Sequence, residues 1–317
     1  MSLVERALQK LQASRPSPAP VSRAPAPATP PAAPLSAPAG RSAVPLLRSP
    51  EDLRAGNARL LHVDRERLRG QQMLPALSQE REISDQFRAI KRPLLNGLPA
   101  EQDETLSRTI MVASALPGDG KTFTSLNLAL SLALEKDLRV LLVDADAPKP
   151  HLTRAFERQD VPGLLDALAD PSRHIENVIL PTDVPRLDFL PIGKWHDTAN
   201  ELLASERMRD VVQRLADMYY PGIVLFDSPP VLLTNESRAL ATFLGQVVLV
   251  VKSGVTPHQA VKEAIATLGD DRRISVVLNN APLGGVLGHY YGYRYGYGAT
   301  RGQPAAGAGR RDNNDST

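Results

Sequence analysis

Thr109-Ile-Met-Val-Ala-Ser114 runs directly into Ala115-Leu-Pro117-Gly118-Asp119-Gly120-Lys121-Thr122, and the apolar stretch 121–135 follows with helical character. The middle segment fits the pattern G-x-x-x-x-G-K-[ST], with Ala115 in place of the first glycine. Small residues let the backbone curl so that successive N–H groups point at one anion, and the start of a helix adds a partial positive charge. The pattern places the Lys121 ammonium on the β- and γ-phosphates of a nucleotide and the Thr122 hydroxyl on Mg²⁺. Pro117, Gly118, Asp119, Gly120, Lys121, Thr122 and Phe123 are therefore the expected nucleotide-binding residues.

Working outward, short apolar runs alternate with longer amphipathic stretches. The candidate strands are 109–114, 139–144, 187–192, 222–227, 246–251 and 274–279. Most are near-continuous Val, Ile and Leu, which signals burial on both faces, as in a parallel sheet covered by helices. Helical stretches are expected at 121–135, 199–218, 234–243 and 256–268. The predicted architecture is a doubly wound α/β domain, with a mostly parallel sheet and a phosphate-binding loop, spanning 80–288.

Two further strands end in acid. Asp144 and Asp146 close Val-Leu-Leu-Val-Asp-Ala-Asp, and Asp227 closes Ile-Val-Leu-Phe-Asp. Ligands of open parallel sheets bind outside the carboxyl ends of the strands, so all three carboxylates are expected to face the phosphates.

The composition narrows the class. The 317 residues carry 37 Lys and Arg against 35 Asp and Glu, and no cysteine, which excludes disulfides, thiolate metal sites and a cysteine nucleophile. The longest wholly apolar run is Val247–Val251, far short of the roughly 18 residues a membrane span needs. The start, MSLVERALQK, lacks a signal-peptide pattern, and a cytoplasmic protein is expected.

Eleven of the 28 prolines fall in residues 16–50, which reads as a disordered Pro/Ala-rich linker. Ahead of it, Leu3, Ala7, Leu8 and Leu11 mark a short amphipathic helix within 1–15, either a docking element or a helix with no role. Residues 1–50 hold six basic groups and one Glu, and 301–317 three basic and two acidic, so 51–300 has a net charge of −4. That leaves no basic face for nucleic acid. Five of the seven tyrosines, Tyr290, Tyr291, Tyr293, Tyr295 and Tyr297, crowd into eight residues at the head of a Gly-rich tail, 289–317.

ALPGDGKT, LLVDAD and FDSPP together resemble the Walker A, A′ and B motifs of the bacterial tyrosine kinases, over roughly 80–298. The likeness is greatest to the tyrosine autokinases of exosortase-linked exopolysaccharide loci, through SALPGDGKTFT, DSPPVLLTNESRALA and the YGY-rich end. The related partitioning and septum-placement ATPases carry a second lysine early in the loop, where this chain has Leu116. Pro148 stands where many of the kinases have Arg, with Lys149 beside it.

The resemblance implies Mg²⁺-dependent transfer of the ATP γ-phosphoryl to the chain's own tail tyrosines, in trans within a homo-oligomer. It implies catalytic roles for Lys121, Asp144, Asp146 and Asp227. Asp144 would orient or deprotonate the acceptor tyrosine, while Thr122, Asp146 and Asp227 would hold the metal or its waters. Asn279 would contact adenine, although a turn role fits it equally. Asp85, Arg88 and Lys91 resemble the E-x-x-R-x-x-R motif by which such domains pack into rings. Expected partners are a transmembrane polysaccharide chain-length (co-polymerase) protein as activator, which would hold the chain peripherally at the inner membrane, and a cognate tyrosine phosphatase. The competing reading is a non-kinase ATPase switch that times association with a membrane partner.

Overall fold

Burial on both faces is what the run TIMVAS requires, and as strand β1 (Thr109–Ser114) every one of its residues is buried. The computed structural model describes residues 60–98, 102–269 and 272–281; segments 1–15 and 16–50 and the tyrosines at 290–297 lie outside the described residues. Among the described residues the strands form one seven-stranded sheet in the order β3-β4-β2-β5-β1-β6-β7. Its members are β2 (Val140–Asp144), β3 (Leu180–Pro181), β4 (Leu187–Leu190), β5 (Ile223–Asp227), β6 (Gln246–Lys252) and β7 (Arg273–Asn279). All neighbours pair in parallel except β3 with β4.

The two faces of the sheet divide the apolar residues by alternation. On one side Met111, Ala113, Leu141, Val143, Val224 and Phe226 pack with the helices α5 (Leu164–Ala169), α6 (Ala199–Leu203), α7 (Glu206–Tyr219), α8 (Asn235–Phe243) and α9 (His258–Leu268). On the other, Ile110, Val112, Leu142 and Val250 pack with α2 (Glu80–Asn96), α3 (Lys121–Ala133) and α4 (His151–Ala155). The expected single helix 199–218 is two helices, because the Ser205 side chain accepts a hydrogen bond from Met208 N–H and caps α7 afresh.

Two expectations are corrected. The domain does not begin at residue 80. Leu61, Val63, Leu68 and Leu74, around the short helix α1 (Arg65–Gly70), are buried in the same core as α2 and α3. Leu61 N–H donates to the Pro181 carbonyl and the Leu61 carbonyl accepts from Asp183 N–H, so this strap extends the sheet beyond β3. Burial on both faces also fails for β7. As the edge strand it leaves Val276 and Leu278 54% and 52% exposed.

Leu61 is 1% exposed, so Leu61→Ala removes a fully buried side chain. We expect a loss of about 2–5 kcal/mol in urea unfolding. An unchanged midpoint would show that the strap adds nothing to the core.

Candidate active site

The loop between β1 and α3 turns through two left-handed glycines, Gly118 at φ 86° and Gly120 at φ 97°. Gly120 also has no room for a side chain, since a Cβ there would lie 2.0 Å from Asn279 Nδ2. The loop is braced from the far strands. Asp119 is buried, its Oδ2 accepts from Leu116 N–H at 3.2 Å, and its Oδ1 accepts from the Thr256 hydroxyl at 2.7 Å. Asn279 Nδ2 donates to the Asp119 carbonyl at 2.9 Å. Sequence reasoning did not find Thr256, because nothing local marks a threonine beyond the end of β6 as a partner of the loop. Asn279, expected at adenine, here spends its amide on the loop.

Lys121 opens α3 and points into the carboxylates. Its Nζ lies 2.5 Å from Asp146 Oδ2 and donates to Thr122 Oγ1 at 3.3 Å. Asp144 and Asp227 are register partners across β2 and β5, which puts two carboxylates side by side at the carboxyl edge. Asp227 Oδ1 accepts from the Ser125 hydroxyl at 3.0 Å, whereas its Oδ2 is buried with no hydrogen-bond partner among the described residues. Ser125 was missed too, although its place one helical turn after Lys121 was a usable signal. Asp144 is wholly buried, and both its oxygens accept backbone N–H groups, Oδ1 from Asp146 at 3.2 Å and Oδ2 from Thr153 at 2.8 Å.

The charges respond to this crowding. Burial, and then the neighbouring Asp227, push Asp144 up to about 7. Burial likewise pushes Asp227 up to about 6, against the pull of Lys121. For Lys121, burial alone would lower the pKa, but Asp227, Asp146 and Asp144 outweigh it and the net shift is upward. One ammonium thus faces three carboxylates. An orphaned carboxylate oxygen and a hydroxyl beside a lysine fit a Mg²⁺–polyphosphate group.

The structure therefore gathers Lys121, Thr122, Asp144, Asp146 and Asp227 at one point, with Pro117 and Gly118 exposed on the loop above. The Phe123 ring does not join them; it packs on Phe87 at 6.2 Å between centroids. Lys149 N–H donates to Asp146 Oδ1 at 3.1 Å, so the backbone beside Pro148 serves the site.

The triplet on α2 also divides. Asp85 and Arg88 are exposed and pair with each other at 2.8 Å. Lys91, expected at a ring interface, is 4% exposed and turned inward to the Ser131 carbonyl and Glu135. Of the remaining tyrosines, Tyr219 is buried and donates to Asp188.

A family described as AAA domain matches residues 107–270, just over half of the chain. The chain is 30% identical to the tyrosine-protein kinase YwqD of Bacillus subtilis over 63% of its own length and 82% of the relative's. The chain belongs to the bacterial tyrosine-protein kinases. It is 34% identical to the putative tyrosine-protein kinase EpsB of Ralstonia nicotianae over 67% of its length, a match that spans only 27% of that relative. Among solved structures it resembles the VpsO kinase domain, with a TM-score of 0.55 and 30% identity over 65% of this chain and all of that one. It also resembles the kinase domain of the Escherichia coli tyrosine kinase ETK, with a TM-score of 0.55 and 26% identity over 63% and 77% of the two chains.

A carboxylate whose folded pKa is raised binds more protons folded than unfolded, so stability falls as pH rises from the unfolded value toward the folded one. For Asp227 that window runs from about 4 to about 6. Asp227→Asn keeps an oxygen for Ser125 and removes the buried charge. We expect the nucleotide-free variant to melt above the parent at pH 8, with the gap closing below pH 4. A variant that melts lower at pH 8 would refute the raised pKa.

Proposed function

We propose that this chain is an ATP-dependent protein-tyrosine autokinase whose acceptors are its own Tyr290, Tyr291, Tyr293, Tyr295 and Tyr297. The observation that carries the reading is the buried pair of Lys121 and Asp146 beside the partnerless oxygen of Asp227, in a chain that carries a tyrosine cluster at 290–297. Phosphoryl transfer asks little covalent chemistry of the protein; positioning and neutralised charge supply most of the rate. Lys121 exchanges Asp146 for phosphate oxygens as nucleotide enters, and Asp146 is released. Thr122, Asp146 and Asp227 would hold Mg²⁺ or its waters, and the ion would supply positive charge to the phosphates.

Asp144 is the proposed acceptor of the phenolic proton. A pKa of about 7 lets it take that proton near neutral pH and give it up again. Each of its oxygens accepts one backbone N–H, from Asp146 or Thr153, and keeps a second lone pair for the proton. Each phosphorylated tyrosine gains about −1.5 to −2 charges, which would drive the tail out of an acidic site.

Within the cell we propose exopolysaccharide production or export as the regulated process. The activating partner would be a transmembrane polysaccharide chain-length protein that holds the kinase at the cytoplasmic side of the inner membrane, with a tyrosine phosphatase as the opposing enzyme. No helix among the described residues is long and apolar enough to cross a membrane. Homo-oligomers, with Asp85 and Arg88 on the contact face, would present one copy's tail to another.

The test is incubation of the purified chain with labelled ATP and Mg²⁺. Lys121→Met is expected to cut incorporation by about 10²–10³-fold, and Phe at all five tail tyrosines to abolish it. Label that persists in the Phe variant would refute the tail as acceptor. ATP consumption without labelled protein would favour the ATPase switch instead.

A further inference from the structure

Away from the nucleotide site, a half-open cavity of about 300 Å³ lies beside β3. Its apolar wall includes Val161, Pro162, Val178 and Leu180, and two arginines, Arg158 and Arg173, reach into its lining. Both cations are under-used. Arg158 donates to the carbonyl of its neighbour Glu157, which is no counter-charge. Arg173 Nε is buried with no hydrogen-bond partner among the described residues, and its acidic neighbour Asp170 stands 4.0 Å away. Asp170 Oδ1 is engaged instead by the Ser172 N–H and hydroxyl, at 2.9 and 2.7 Å.

An apolar slot of this size with two guanidinium groups is chemistry for an aryl phosphate. The phenyl ring takes the aliphatic wall, and the phosphate dianion takes the Arg158 fork, which no carboxylate among the described residues pairs, and the Arg173 fork, whose ion pair with Asp170 is long at 4.0 Å. We propose that this cavity binds phosphotyrosine from the 290–297 segment of a second copy of the chain. The proposal rests on the autokinase reading for the origin of its ligand, since that reaction makes aryl phosphates on this chain.

Distance favours a second copy. The tail leaves the fold after β7, and the cavity flanks β3, at the opposite edge of the sheet. Six strand spacings separate those edges by roughly 29 Å in a straight line through the protein. The nine residues from Ala281 to Tyr290 span at most about 30 Å fully extended. Tyr290 and Tyr291 therefore fall short of their own chain's cavity around the domain, whereas a neighbour's can enter from solvent; Tyr297, sixteen residues from Ala281, has an extended reach of about 55 Å.

The test uses the full chain carrying Lys121→Met, so that its own tail stays unmodified, and a synthetic peptide of residues 287–298 phosphorylated on tyrosine. Calorimetry is expected to show binding that weakens by about tenfold or more for the unphosphorylated peptide and for the Arg158→Gln/Arg173→Gln double variant. Arg173→Lys, which keeps the charge but loses the fork, should fall between. Hydrogen exchange on the chain bearing only Lys121→Met provides a check that needs no arginine variant: the phosphopeptide should slow exchange across 158–180.

Equal affinity for the two peptides, equal affinity for a phosphoserine version, or no protection at 158–180 would overturn the proposal. Because the peptide arrives already phosphorylated, that failure is distinct from failure of the kinase reading, which shows as absence of label in the parent chain.

Discussion

The rest of the structure is arranged around a charge imbalance that it keeps out of water. Asp144, Asp146 and Asp227 converge on one ammonium, Lys121, and all four are nearly or wholly buried. The parallel pairing of β2 with β5 forces this closeness, since it places Asp144 and Asp227 in register at the same edge. An uncompensated buried carboxylate costs several kcal/mol, and it reduces that cost by holding a proton. That is the physical content of the raised pKa values at Asp144 and Asp227. Such a site is stabilised by whatever brings positive charge to it.

Holding the imbalance in place requires that α3 cannot slide. Its first residue is Lys121, and its far end is fixed by Lys91, whose ammonium reaches the Ser131 carbonyl at 2.7 Å and Glu135 at 2.6 Å. A cation at the last carbonyls of a helix also suits the helix dipole. This gives Lys91 a role in positioning that differs from the interface role its sequence context suggests. On the other flank, Asp119 ties the loop to Thr256 and Asn279, beyond β6 and at the end of β7. The phosphate loop is thus clamped between α2 on one side and the last two strands on the other.

How much of this could be read from sequence follows from what is local. A strand with both faces buried writes itself as continuous Val, Ile and Leu, so β1, β2, β5 and β6 were legible to within a residue or two. The glycines of the loop, Lys121 and the three acids were legible because spacing along one strand or one turn fixes where they point. Contacts that join distant segments left no such trace. Nothing in Leu61 announces that it bridges to Thr182, and nothing in Thr153 announces that its N–H holds Asp144. Edge effects were hidden for the same reason. RISVVLN looks like the other strands, and only its place at the end of the sheet leaves Val276 and Leu278 half in solvent. Lys91 was misread because a charged residue on a charged helix looks exposed until the neighbouring helix is known.

The two lateral edges of the sheet are not equivalent, and this matters for how copies can meet. The β3 edge is short, antiparallel and covered by the strap at Leu61, with two arginines nearby that no carboxylate neutralises closely. The β7 edge is longer and parallel, exposes Val276 and Leu278 together with Arg273, and leads into the tyrosine-bearing tail. A contact that joins one copy's tail to another copy's β3 edge uses different surfaces on the two partners. Such a contact is heterologous, so repetition leads either to a closed ring or to an open chain, according to the rotation each step imposes. An isologous dimer would pair like with like, and would put two β3 edges or two β7 edges face to face. Like charge disfavours the first, and Arg273, exposed at the start of β7, sets like charge across the second as well.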